Sequence, residues 1–164
     1  MLMPVRVLHV VTSMDVGGIE TFLMNIYRKI DRSKIQFDFL VHRKKKGYYE
    51  EEISAMGGNV FRTVPFKGYN SLHYRRVIND FLSDFGCYHI VHSHISAWSY
   101  YILYAAKQRG IPVRIAHSHE AHKTLKEISF VKLPFAMHCI RKLGDVTTQR
   151  FACSRSAVNW LFGE

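Results

Sequence analysis

The 164-residue chain is short of cysteine, of acidic side chains and of long apolar runs, and each shortage removes a class of protein. Its three cysteines, Cys87, Cys139 and Cys153, are odd in number and scattered, with no Cys-x-x-Cys pair. That set excludes a disulfide scaffold and reads as reduced, mostly packed thiols of a cytosolic protein. No apolar run reaches the roughly 18 residues of a membrane span. The N-terminus passes straight into strand-like sequence, so no secretory leader is expected. Three signatures of nucleotide and hydrolase chemistry are missing too. There is no Gly-x-Gly-x-x-Gly fingerprint and no Gly-Lys-Ser/Thr of a P-loop, and without Gly-x-Ser-x-Gly the chain lacks the nucleophile elbow of an ordinary hydrolase. Thirteen Asp and Glu stand against 23 Lys and Arg, a net charge of +10 with histidine neutral. That excess favours an anionic partner, such as nucleotide, lipid headgroup or nucleic acid, without choosing among them.

What is present is the composition of one globular domain with a sizeable core. Val5 to Val11 is a run of apolar and β-branched residues, the pattern of a strand buried on both faces of a parallel sheet. Gly17-Gly18 breaks it, and a helical period starts at once, with Ile19, Phe22, Leu23, Ile26 and Ile30 on one face. Strand, glycine turn and helix aim free backbone N–H groups at an anion, commonly a phosphate. The plainer reading is that the two glycines only let the chain turn.

Further strands are expected at Gln36–His42, Asn59–Pro65, Tyr88–His94, Pro112–His117 and Arg150–Cys153. Helices are expected at Tyr48–Met56, Ser71–Phe85, Ala97–Arg109, Leu125–Leu143 with an interruption near Pro134, and Ser156–Phe162 capped by Ser154. The basic loop Arg43–Lys46 reads as solvated surface rather than a nucleic-acid arm. Strict alternation of strand and helix with right-handed crossovers gives an α/β, doubly wound, parallel Rossmann-like sheet in three layers, α/β/α. The expected strand order is 3-2-1-4-5-6. Its switch point lies between the first and fourth strands, where ligands bind outside the carboxyl ends.

Four of the ten histidines stand in two His-x-His pairs, His92 with His94 and His117 with His119. Residues i and i+2 of a strand point to one side, and both pairs end strands expected to be neighbours. Three readings follow. The rings could ligate zinc or iron with Glu120 as a further ligand. They could line a metal-free polar crevice for sugar hydroxyls and phosphate oxygens, titrating near neutrality. Or they could be strand-end residues bonded to loop carbonyls.

Several segments in order resemble a known family: Val7-Leu-His-Val-Val-Thr12 with Gly17-Gly-Ile-Glu20, His89-Ile-Val-His-Ser-His94, Arg114-Ile-Ala-His-Ser-His119 and Phe151-Ala-Cys-Ser-Arg-Ser156. Together they resemble the N-terminal, acceptor-side domain of a retaining glycosyltransferase of the GT-B architecture, two facing Rossmann-like domains, in the large family that includes capsule and exopolysaccharide transferases. The resemblance covers nearly all of residues 1–164. It implies transfer of a sugar from a nucleotide-sugar donor, a UDP- or GDP-sugar, to an acceptor hydroxyl on a carbohydrate or lipid-linked acceptor.

By the same resemblance Gly17 and Gly18 approach the donor phosphates and Glu20 matches the glutamate of the following helix. His119 is the histidine that touches the transferred sugar, with His117 as its fallback, and His94 lines the acceptor cleft. No obligate metal, cofactor or nucleic-acid partner is implied. The donor-binding second domain is missing, so a fragment that is inactive alone is expected. Basic residues Lys123, Lys126, Lys132, Arg141 and Lys142 interleave with apolar ones, which fits a cytoplasmic protein peripheral to an anionic membrane face or an ordinary surface helix. The alternatives kept open are a metal-dependent hydrolase built on the His-x-His pairs and a non-catalytic α/β binding module.

Overall fold

A computed structural model of the chain describes residues 3–67, 69–85, 88–119 and 132–163. Six strands form a sheet in the order β3-β2-β1-β4-β5-β6, with every pair parallel. They are β1 (Val5–Val11), β2 (Ile35–Val41), β3 (Val60–Arg62), β4 (Ile90–Ser93), β5 (Val113–Ser118) and β6 (Gln149–Ala152). Helices α1 (Gly18–Tyr27), α2 (Glu50–Ala55), α3 (Ser71–Asp84), α4 (Ser99–Gln108), α5 (Leu133–Leu143) and α6 (Arg155–Phe162) alternate with them. The doubly wound order and its switch point between β1 and β4 are those expected from the sequence.

Two cores follow from strand alternation. Odd residues of β1 and β2 (Val7, Val11, Phe37, Phe39, Val41) pack under α1 and α2 through Leu23, Met24, Tyr27 and Ile53. Even residues (Leu8, Val10, Leu40) pack under α3, α4 and α5 through Tyr74, Ile78, Leu82, Ile102 and Cys139. One buried carboxylate ties the sheet together at its amino edge. Asp38, 1% exposed, accepts from Arg6 Nε at 2.7 Å, Asn59 N at 2.8 Å and Tyr88 Oη at 3.0 Å. Burial alone would raise its pKa, but the Arg6 and Asn59 hydrogen bonds hold it below the usual carboxylate range.

Three expectations are corrected. Phe22 does not join the core of α1 but stays 45% exposed, because the buried stripe is Leu23, Met24 and Tyr27. The helix itself stops at Tyr27, so Ile30 lies beyond it. Strand β3 covers only Val60–Arg62, paired on one side by Phe39–Val41, since an edge strand has no second partner to extend it. Within the expected Leu125–Leu143 helix, the described part is α5, which takes Pro134 in its first turn, where a proline gives up no hydrogen bond. The part of that expected helix before residue 132, with Lys126, lies outside the described residues, as do Lys123 and the candidate ligand Glu120. Ser154 caps α6 as expected, its Oγ accepting from Ala157 N at 3.2 Å.

Candidate functional site

Register builds the site. His9 lies opposite His92 across β1 and β4, His92 opposite Ile115 across β4 and β5, and His117 opposite Phe151 across β5 and β6. Alternation then puts His9, His92, His94, His117 and His119 on one face of the sheet, at the carboxyl edge of the switch point. His94 and His119 stand one residue past the ends of β4 and β5.

Among the described residues the five rings meet each other rather than loop carbonyls, which weighs against the third reading of the His-x-His pairs. His9 Nδ1 is 3.1 Å from His94 Nε2, His94 Nδ1 is 2.8 Å from His119 Nε2, and His92 Nε2 is 3.2 Å from His117 Nδ1. The rings of His117 and His119 stack at 3.9 Å and those of His92 and His94 at 4.2 Å. Three are nearly inaccessible: His9 at 3%, His94 at 5% and His117 at 7% exposed.

Burial, reinforced by neighbouring imidazoles, disfavours the charged form. It pushes His9 down to about 3, His92 to about 2 and His117 to about 4, with His94 well below its ordinary value. His119 is lowered by burial as well. The expectation that these rings titrate near neutrality is therefore corrected. They are neutral imidazoles at pH 7, each with one N–H to donate and one lone pair to accept with.

Two clefts open at this edge. One of about 500 Å³ is walled by Gly18, Phe22, His117, His119, Phe151 and Cys153. The other, about 290 Å³, is walled by His94, His119, Trp98, Trp160 and Ile19 among others. His119 is common to both. Phe22 and Phe151 stand edge-on to His117, at 6.3 and 5.7 Å between ring centres.

Gly18 opens α1 with no side-chain cap at Gly17, and a β-carbon built on Gly18 meets nothing within 4 Å. Neither Gly17 nor Gly18 is among the described residues with positive φ. The turn thus does not require glycine, and a side chain at Gly18 would stand in open space beside the cleft it lines. Glu20 folds back over Gly17, its Oε2 lying where a Gly17 β-carbon would be 2.4 Å away, and lines neither cleft.

Of the six residues expected at the site, Gly18, His117 and His119 share one cleft, His94 and His119 share the next, and Gly17 and Glu20 stand behind the first. Sequence reasoning missed His9, Phe22 and Phe151. His9 is the one polar residue among Val5, Val7 and Val11 on its face of the first strand, a signal that only the register with His92 makes meaningful. Two histidine triads place one nitrogen each within 4.8 Å of one another: His9, His92 and His94, and His94, His117 and His119.

Comparison with known proteins bears on this geometry. Residues 16–162 match the family described as Glycosyltransferase Family 4. The chain is 36% identical over 167 residues to EpsF of Bacillus subtilis (strain 168), provisionally named a glycosyltransferase. That match takes in 97% of this chain and 41% of EpsF, so the chain spans less than half the length of this relative. Among solved structures, MurG of Acinetobacter baumannii superposes with a TM-score of 0.59 at 11% identity, over 94% of this chain and 42% of MurG. At that identity the likeness speaks to the fold alone.

Proposed function

The chain belongs to Glycosyltransferase Family 4, and from that premise we propose that it is the acceptor-side domain of a retaining, hexosyl-transferring enzyme of the GT-B architecture. The enzyme moves a sugar from a UDP- or GDP-sugar to a hydroxyl of a carbohydrate or lipid-linked acceptor, in polysaccharide or glycolipid synthesis. The observation that carries the reading is Gly18, the first residue of α1, lining one cleft of about 500 Å³ together with His117 and His119. The family gives no support to a metal-dependent hydrolase.

In this reading the chemistry is positioning and charge stabilisation. The donor diphosphate lies at Gly17 and Gly18, where backbone N–H groups and the positive end of the helix dipole meet its charge. His119 hydrogen-bonds the transferred sugar from the wall common to both clefts, and as a neutral imidazole it donates and accepts without adding charge. His117 supports it, and Glu20 keeps the turn around Gly17. The acceptor lies in the cleft of His94, Trp98 and Trp160, where indole faces suit the apolar faces of a sugar ring. Transfer needs no bound metal or cofactor.

The second domain, which binds most of the nucleotide, is supplied by a longer protein, so residues 1–164 alone bind donor weakly and turn over little. No described helix is long and apolar enough to cross a membrane, and the enzyme works in the cytoplasm against the inner membrane face. The test is nucleotide release by the natural protein that carries this chain, with a panel of UDP- and GDP-sugars, with and without EDTA. Release that survives EDTA and falls at least tenfold in His119→Ala is the expected result. No release from any donor would overturn the reading.

A further inference from the structure

We propose that His94, His117 and His119 form a binding site for a borderline divalent transition-metal ion such as Zn2+, held by three imidazole nitrogens with a fourth position open to the cleft. The three side chains offer one nitrogen each within 4.8 Å of one another. A tetrahedral zinc ion, with Zn–N of about 2.0–2.1 Å, keeps its nitrogens about 3.3 Å apart. His94 Nδ1 and His119 Nε2 already stand 2.8 Å apart. An ion therefore asks this pair to open by about half an ångström and the His117 nitrogen, within 4.8 Å of both, to close in. Three imidazoles favour Zn2+, Co2+, Ni2+ or Cu2+ over the oxygen-seeking Mg2+ and Ca2+. Their neutrality is the state a metal ligand requires.

The hydrogen bonds around His94 give the site its support. Without an ion, His94 and His119 share a proton between Nδ1 and Nε2. An ion needs the lone pair of both atoms, so His119 carries its proton on Nδ1 and His94 on Nε2, which donates to His9 Nδ1, 3.1 Å away, with the His9 proton on its Nε2. This is the outer bond that fixes the tautomer of a ligating histidine. It also accounts for His9, a 3% exposed imidazole in mid-strand whose Nε2 has no partner among the described residues. For packing alone, an apolar residue there would avoid the cost of that orphan atom. His9 is thus a positioning residue for the site. Where the transferase reading also holds, ion and donor compete for His119; the site itself does not depend on that reading.

The experiment is a titration of the metal-free full chain with Co2+, read by the visible absorption of four-coordinate cobalt. Zn2+ then displaces it, and the Zn2+ affinity is taken from competition with a chromogenic chelator. One equivalent is expected. His117→Asn and His119→Asn should each abolish the cobalt band and weaken Zn2+ at least 100-fold. His9→Phe should weaken Zn2+ roughly 10- to 100-fold while keeping the band. His138→Asn, exposed on α5, should leave both unchanged, and far-ultraviolet circular dichroism confirms that each variant is folded. The absence of a cobalt band, or a Zn2+ affinity that survives both His117→Asn and His119→Asn in folded protein, overturns the proposal.

Discussion

Gly18 separates what the fold needs from what a ligand needs. Its backbone is not in the left-handed region and a methyl there would touch nothing, so stability gives no reason for glycine. Alanine at a first helical position is, if anything, favoured by propensity. Gly18→Ala should therefore change the folding free energy by less than about 0.5 kcal/mol. If the α1 amino end receives the donor diphosphate, the same methyl keeps the phosphates from the backbone, and kcat/KM for the donor should fall at least tenfold. Urea denaturation and steady-state kinetics on the natural protein would measure both. Unchanged kcat/KM would remove Gly18 from the phosphate site. Gly17 is a poorer probe, because a methyl there only displaces the mobile end of Glu20.

Among the elements, the loop before α1 is held by a neighbour that sequence alone does not connect to it. A β-carbon on Gly47 would sit 2.6 Å from the Met14 carbonyl carbon and 2.7 Å from its oxygen, both backbone atoms that cannot swing aside. Beside it, Tyr49 N donates to Met14 O at 2.9 Å and Tyr48 N to Asp15 Oδ1 at 3.1 Å. Gly47→Ala should cost about 1–3 kcal/mol and speed amide exchange at Tyr48 and Tyr49 as the two loops part. Protection at those amides equal to wild type would refute the contact. Helix α5 makes the second case. Ala136, Cys139 and Leu143 are buried while Lys132, Arg141 and Lys142 face outward. A peripheral membrane role predicts that the chain sediments with anionic liposomes at low salt and is released at high salt; no sedimentation at low salt would leave α5 an ordinary surface helix.

Legibility differed between elements for physical reasons. The first strand was readable to the residue because an apolar run ends in polar and glycine residues. The strand order followed from strict alternation. Strand β3 was not, because pairing on one side only is invisible to periodicity. The His-x-His pairs were legible as a shared face, but His9 was not, since register between β1 and β4 is set by tertiary packing. Phe22 fits the helical period of α1, yet the true stripe is rotated by one residue and leaves it on the cleft.

For the whole molecule, the histidine cluster couples folding to pH. In the unfolded chain each ring takes up a proton near pH 6.5; in the fold His9, His92 and His117 hold out to about 3, 2 and 4, and His94 and His119 are lowered too. Below pH 6.5 the unfolded state therefore binds more protons than the folded state, and stability rises with pH across that window. The contribution is fully present above pH 6.5 and is lost as pH falls from there toward the folded values. At pH 5.5 each fully neutral ring costs roughly 1 kcal/mol, so the cluster together removes several kcal/mol from a total of about 5–15. The net charge of +10 adds a general repulsion in acid, which a control must separate. At fixed ionic strength, the urea midpoint should fall steadily from pH 7 to pH 5. His9→Phe should flatten that fall, whereas the exposed His138→Asn should not. A midpoint that stays level between pH 7 and 5.5, or a slope equally insensitive to both substitutions, would mean the rings are not held neutral by the fold.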